Sequence, residues 1–97
     1  MVCRTLAAAI GVASIAAAVV ASAEPPAGAA SCTGCHPAST RVTSPVPRLA
    51  GLDRAAIVRA MQDFRSGTRT ATVMDRIAKG FTDEEIQAIA AWFATQR

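Results

Sequence analysis

Cys32-Thr33-Gly34-Cys35-His36 constrains this chain more than any other stretch. Two thiols stand two residues apart, and the histidine beside them is the only one in the sequence. A disulfide between such close neighbours closes a tiny loop and restricts the unfolded chain little. The pair therefore cannot staple the fold by itself. Its spacing matches covalent attachment of a c-type haem. Each thiol adds to one vinyl group, and the adjacent histidine ligates the iron.

Two alternatives for the pair fare worse. A zinc site wants four ligands. After Cys32, Cys35 and His36 the fourth would have to be a carboxylate, and a Cys-His neighbour pair fits a tetrahedron poorly. A thioredoxin-like dithiol needs a strand-helix-strand setting, and no alternating strand pattern occurs anywhere in the chain.

Residues 1–23 read as a secretory signal peptide that is removed. Arg4 supplies the positive start, Leu6 to Val20 the apolar run, and Ala21-Ser22-Ala23 the small-residue cleavage site. The run is short for a membrane span of roughly 20 residues. Cys3 precedes it, which excludes a lipoprotein signal. Export places the chain in the periplasm, with no membrane span in its mature part. Removing residues 1–23 from 97 leaves 74, a single domain over 24–97.

That leader holds most of the apolar character behind the mean hydropathy of +0.31. The remainder has nine basic and seven acidic side chains, a net +2. There is no Lys/Arg run and no basic patch interleaved with aromatics, so nucleic acid is not an expected partner. A 74-residue chain rarely buries enough apolar surface unaided. A haem would place a flat apolar plate at its centre. Size and motif thus argue separately for the same cofactor.

Three main helices and two functional loops follow from the pattern, an all-α fold. Ala29 to His36 reads as a short helix carrying the Cys pair. Asp53 to Ser66 reads as a second, with Asp53 as N-cap and Gly67 as its stop. Its apolar face is Ile57, Ala60, Met61 and Phe64. Thr82-Asp83-Glu84-Glu85 is a capping box opening a last helix that runs to about Thr95. Ile86, Ile89, Ala90 and Phe93 form the stripe of that helix. Residues 38–52 and 68–79 read as loops, the second with a helical turn over Met74 to Ala78.

A low-spin haem iron needs a second axial ligand beside His36. No other histidine exists, tyrosine is absent, and both mature cysteines are committed. Methionine remains, as Met61 or Met74. Met61 lies on an apolar helix face, where packing explains it. Met74 lies in the polar run Ala71-Thr72-Val73-Met74-Asp75-Arg76, where a thioether needs another reason. Met74 is therefore the expected distal ligand. A thioether stabilises ferrous iron and raises the potential. With both axial positions filled, electron transfer is favoured over oxygen or peroxide chemistry. A carbonyl within Pro45-Val46-Pro47 could accept the proton of the other His36 nitrogen. Arg48 is either a partner of a haem propionate or a solvated arginine. Trp92 is read as packing between helices.

Four stretches together resemble class I cytochromes c: Cys32 to His36, Pro47-Arg48-Leu49-Ala50-Gly51-Leu52, Met74, and Ala90-Ala91-Trp92-Phe93. The resemblance implies a small class I fold around one covalent haem c. It also implies an N-terminal helix crossing the C-terminal one at Gly28 or Ala29, against an aromatic such as Trp92. Pro47 matches the family's proline whose carbonyl receives the histidine proton. Pro37 departs from the glycine usual after the motif, which affects the local path and not the ligation.

A narrower resemblance rests on Phe64-Arg65-Ser66-Gly67-Thr68-Arg69 and on Thr72-Val73-Met74-Asp75-Arg76-Ile77-Ala78-Lys79-Gly80. These are similar to the cytochrome subunit of flavocytochrome c sulfide dehydrogenase, in a short monohaem form. That resemblance implies a flavoprotein partner in a heterodimer, with FAD in the partner alone. The partner oxidises sulfide, and this chain passes electrons singly to a downstream redox acceptor without catalysing bond chemistry itself. The alternative is a free monohaem shuttle.

Overall fold

A computed structural model describes residues 24–39 and 41–97. The expected signal peptide, with Cys3, lies outside the described residues. Among those described, the elements are α1 (Ala29–Cys32), α2 (Arg54–Ser66), α3 (Met74–Ala78) and α4 (Asp83–Thr95), and there is no strand. None of these helices is long and apolar enough to cross a membrane.

The two long helices begin and end where their capping chemistry dictates. The Asp53 carboxylate accepts the Ala56 N–H at 3.0 Å, which satisfies one orphan donor of α2. Gly67 closes that helix in the left-handed region at φ 80°. At the start of α4 the capping box is complete. The Thr82 hydroxyl accepts from the Glu85 N–H at 3.2 Å, and the Glu85 carboxylate accepts from the Thr82 N–H at 2.8 Å.

All four residues of the expected α4 stripe, Ile86, Ile89, Ala90 and Phe93, are buried. The α2 face is shifted. Ile57 and Val58 are its buried residues, while Met61 and Phe64 are half-buried. Phe64 is covered in part by the Arg69 guanidinium, 5.0 Å above its ring. Helix α2 packs against both α3 and α4. Arg65 braces the contact from the last turn of α2: it donates to the Phe81 carbonyl at 3.1 Å and pairs with Asp83.

The first helix is shorter than the sequence suggests. It ends at Cys32, and the motif leaves it through tight turns in which the Cys35 and His36 N–H groups both donate to the Cys32 carbonyl, at 3.2 and 2.9 Å. Thr33 and Gly34 favour such a turn over another helical turn. Ala29 is fully buried against α4, as a small residue at a crossing should be. The aromatic nearest Gly28 is Phe81 and not Trp92. A Cβ on Gly28 would lie 2.6 Å from a Phe81 ring carbon and 3.4 Å from Ile89. Trp92 packs on the core, edge-on to Phe93 at 4.8 Å.

Candidate functional site

The turn after α1 presents the motif's side chains to different surroundings. Cys35 is exposed, and Cys32 is half-buried against the core. Burial pushes the Cys32 thiol above its ordinary value, offset in part by hydrogen bonding. Its Sγ lies 3.5 Å from the Gly28 carbonyl. Both thiols are free.

His36 Nδ1 lies 2.6 Å from the Pro47 carbonyl oxygen, across eleven residues of chain. A carbonyl only accepts, so Nδ1 carries the proton and donates. The Nε2 lone pair is then the one left for a metal. Pro47 belongs to a strap, residues 47–52, whose far end is also fixed. The Gly51 N–H donates to the Phe93 carbonyl at 2.9 Å, taking up an orphan acceptor at the end of α4. Leu49, between these two points, packs on the core.

The two methionines separate as their settings suggest. Met61 packs against the core cluster. Met74 is half-buried at the first position of α3 and lies outside that cluster. The structure therefore joins Cys32, Cys35, His36 and Pro47 directly and carries Met74 on a separate element. Arg48 is half-buried, with its guanidinium beside Gly51, and makes no ion pair or hydrogen bond within the described residues.

The donor chemistry fits a macrocycle better than a bare ion. Among the described residues no group of three or more His, Cys, Asp or Glu side chains is placed to hold a metal ion. A haem brings four nitrogens of its own and asks the protein for axial donors only. It also asks for apolar cover. Among the described residues, the large apolar side chains left exposed are Val42 at 56%, Val73 at 55%, Ile77 at 43% and Leu52 at 42%. Val42 follows the motif, Leu52 ends the strap, and Val73 and Ile77 flank Met74. A flat apolar ligand held between these segments would cover them, a gain of about 25 cal/mol per Å².

Sequence reasoning missed three contributors. Gly51 is one, and its signal was its place in a Pro-rich strap. Phe81 is another, a lone aromatic between Gly80 and the capping box that fills the space left by Gly28. Asp75 is the third: its Oδ1 is buried without a hydrogen-bond partner beside Met74. No sequence pattern marks it.

No family model matches the chain. Individual relatives do. The cytochrome subunit of sulfide dehydrogenase from Chlorobaculum tepidum is 46% identical over 63 residues, covering 65% of this chain and 57% of that protein. The thiosulfate dehydrogenase electron acceptor of Stutzerimonas stutzeri is 40% identical over 65 residues, covering 65% of this chain and 30% of that protein. Cytochrome c-554(548) of Halomonas halodenitrificans is 30% identical over 69 residues, covering 67% of this chain and 83% of that protein. The chain thus spans little more than half of the first of these relatives and under a third of the second.

Proposed function

The chain belongs to the cytochrome c family, carrying a c-type haem for electron transfer, and from that premise we propose that it is the haem subunit of a periplasmic sulfide dehydrogenase. Its partner would be a flavoprotein that holds FAD, oxidises sulfide and releases electrons one at a time to this chain. The observation that carries the reading is the 46% identity to a cytochrome subunit of sulfide dehydrogenase.

In this reading Cys32 and Cys35 would hold one haem c through thioethers, and His36 and Met74 would supply the protein's two donors to its iron. Haem bound there supplies a one-electron couple. The rest is the work of the chain. Donation from Nδ1 to the Pro47 carbonyl fixes the His36 ring and strengthens Nε2 as a donor. The Met74 thioether, a softer ligand, favours the ferrous state and raises the potential. Arg48, a half-buried cation with no ion pair or hydrogen bond among the described residues, is suited to a propionate. Val42, Leu52, Val73 and Ile77 are exposed apolar side chains that such a group could cover.

One observation favours a second reading. The Stutzerimonas relative is named as an electron acceptor of a different sulfur-compound dehydrogenase. A free monohaem shuttle is accordingly the rival. Mixing the holoprotein with the candidate flavoprotein and sulfide decides between them. The subunit reading expects a stable one-to-one complex through gel filtration and rapid haem reduction within it. Reduction that occurs only by transient encounter, with the two chains eluting apart, supports the shuttle.

A further inference from the structure

We propose that the C-terminal turn of α4 sets the donor strength of His36, acting through a clasp at Gly51. The inference rests on the reading of His36 as a haem ligand and adds a positioning device to it. The strap 47–52 is tied at two points. At one, the Pro47 carbonyl takes the His36 Nδ1 proton at 2.6 Å. At the other, the Gly51 N–H meets the Phe93 carbonyl at 2.9 Å. A turn bond from the Leu52 N–H to the Leu49 carbonyl, 3.1 Å, stiffens the span near the second tie.

Gly51 lies flat against the helix end. Its φ is +76°, and a Cβ there would stand 3.4 Å from the Gln96 carbonyl oxygen and 3.8 Å from Arg48 Nη2. The Gln96 N–H donates to the same Phe93 oxygen at 3.1 Å, so both segments meet at one acceptor. On this side the half-buried imidazole borders open space as well as side chains, Pro37 and Trp92 among them. His36, Ala50, Phe93 and Gln96 line one cavity of about 100 Å³. The hydrogen bond to the strap aims the ring, and the tie at Gly51 holds the strap against the end of α4.

The consequence is electronic. A proton donated to a short, aligned acceptor makes imidazole more basic and a better ligand to ferric iron. Lifting the strap by a few tenths of an ångström weakens that bond, because hydrogen bonds fall off steeply with length and angle. The ferric state then loses support, and the ferrous state gains.

Gly67 supplies the control. Its φ is +80°, close to that of Gly51, yet nothing lies within 4 Å of its Cβ position. Gly51→Ala and Gly67→Ala carry the same left-handed backbone penalty, and only the first places that strain at the clasp. The test measures stability, reduction potential and the His36 Nδ1 proton resonance of the ferrous holoproteins. Both variants should lose similar stability. Only Gly51→Ala should raise the ferrous-to-ferric ratio three- to tenfold at fixed solution potential, about 28–59 mV at 59 mV per tenfold. Its Nδ1 proton should also exchange faster with solvent. Gly51→Asn tolerates the left-handed region and keeps the test open if the alanine variant does not fold; it should shift the potential in the same direction. Equal potentials in the Gly51 and Gly67 variants, or a lower potential at Gly51, overturn the clasp. A wild-type chain that binds no covalent haem overturns the functional reading itself and the clasp with it.

Discussion

The segment from Arg54 to Thr95 and the segment from Ala29 to Leu52 hold their shapes by different means. In the first, two thirteen-residue helices carry their own caps and bury a common core, with α3 packed beside them. In the second, the only helix lasts four residues, and Ala29 alone among the described residues is buried. Its turns close on local bonds, such as the Ser39 and Ser44 hydroxyls accepting from Arg41 and Val46 N–H groups at 3.1 Å. Two long-range hydrogen bonds, His36 to Pro47 and Gly51 to Phe93, then tie it down. One region is specified by what it buries within itself. The other is specified by what it must hold.

That contrast predicts which changes hurt, and how. The largest effect should come from removing both thiols. A Cys32→Ala, Cys35→Ala chain loses covalent haem, and with it the apolar plate that so small a core requires. We expect no cooperative thermal transition by circular dichroism. A sharp transition in that variant would mean that the helical region sustains the fold alone. Phe93→Ala acts on the other side of the comparison. Phe93 is 4% exposed in the core, so truncation should cost about 3–5 kcal/mol in chemical denaturation. The same residue's carbonyl still receives Gly51, so the haem spectrum of whatever remains folded should be native.

Smaller effects sharpen the boundary. Asp53→Ala removes the α2 N-cap bond and should cost about 1 kcal/mol. Thr82→Ala should cost about as much, through the α4 capping box. Neither should move the reduction potential, because neither side chain bonds to the motif, the strap or α3. A shift in potential from either would show that the two regions are more tightly coupled than their hydrogen bonds suggest.

The same contrast explains how far the sequence could be read. Helices α2 and α4 were legible to within a residue because Asp53, Gly67, Thr82 and Glu85 act through local bonds. The helical turn at Met74–Ala78 was legible too, since Val73 and Gly80 bracket it. The end of α1 was not, because the turn closes on the Cys32 carbonyl, which takes both the Cys35 and His36 N–H groups, and no sequence period marks that bond. The pairing of Phe81 with Gly28 was equally hidden, being a contact across fifty residues with no periodic signature. Pro47 was recognisable as an acceptor by resemblance, whereas its support at Gly51 depends on where the end of α4 lies in space.

The two methionines test the central claim most directly. Met74 is proposed as a haem ligand, whereas Met61 packs against the core. Ferric holoprotein should show the weak near-infrared band of methionine–iron ligation. Met61→Ala should keep that band and lose about 2 kcal/mol of stability. Met74→Ala should lose the band and drop in potential, with little change in helix content. A band that survives in Met74→Ala, or vanishes in Met61→Ala, would contradict the account.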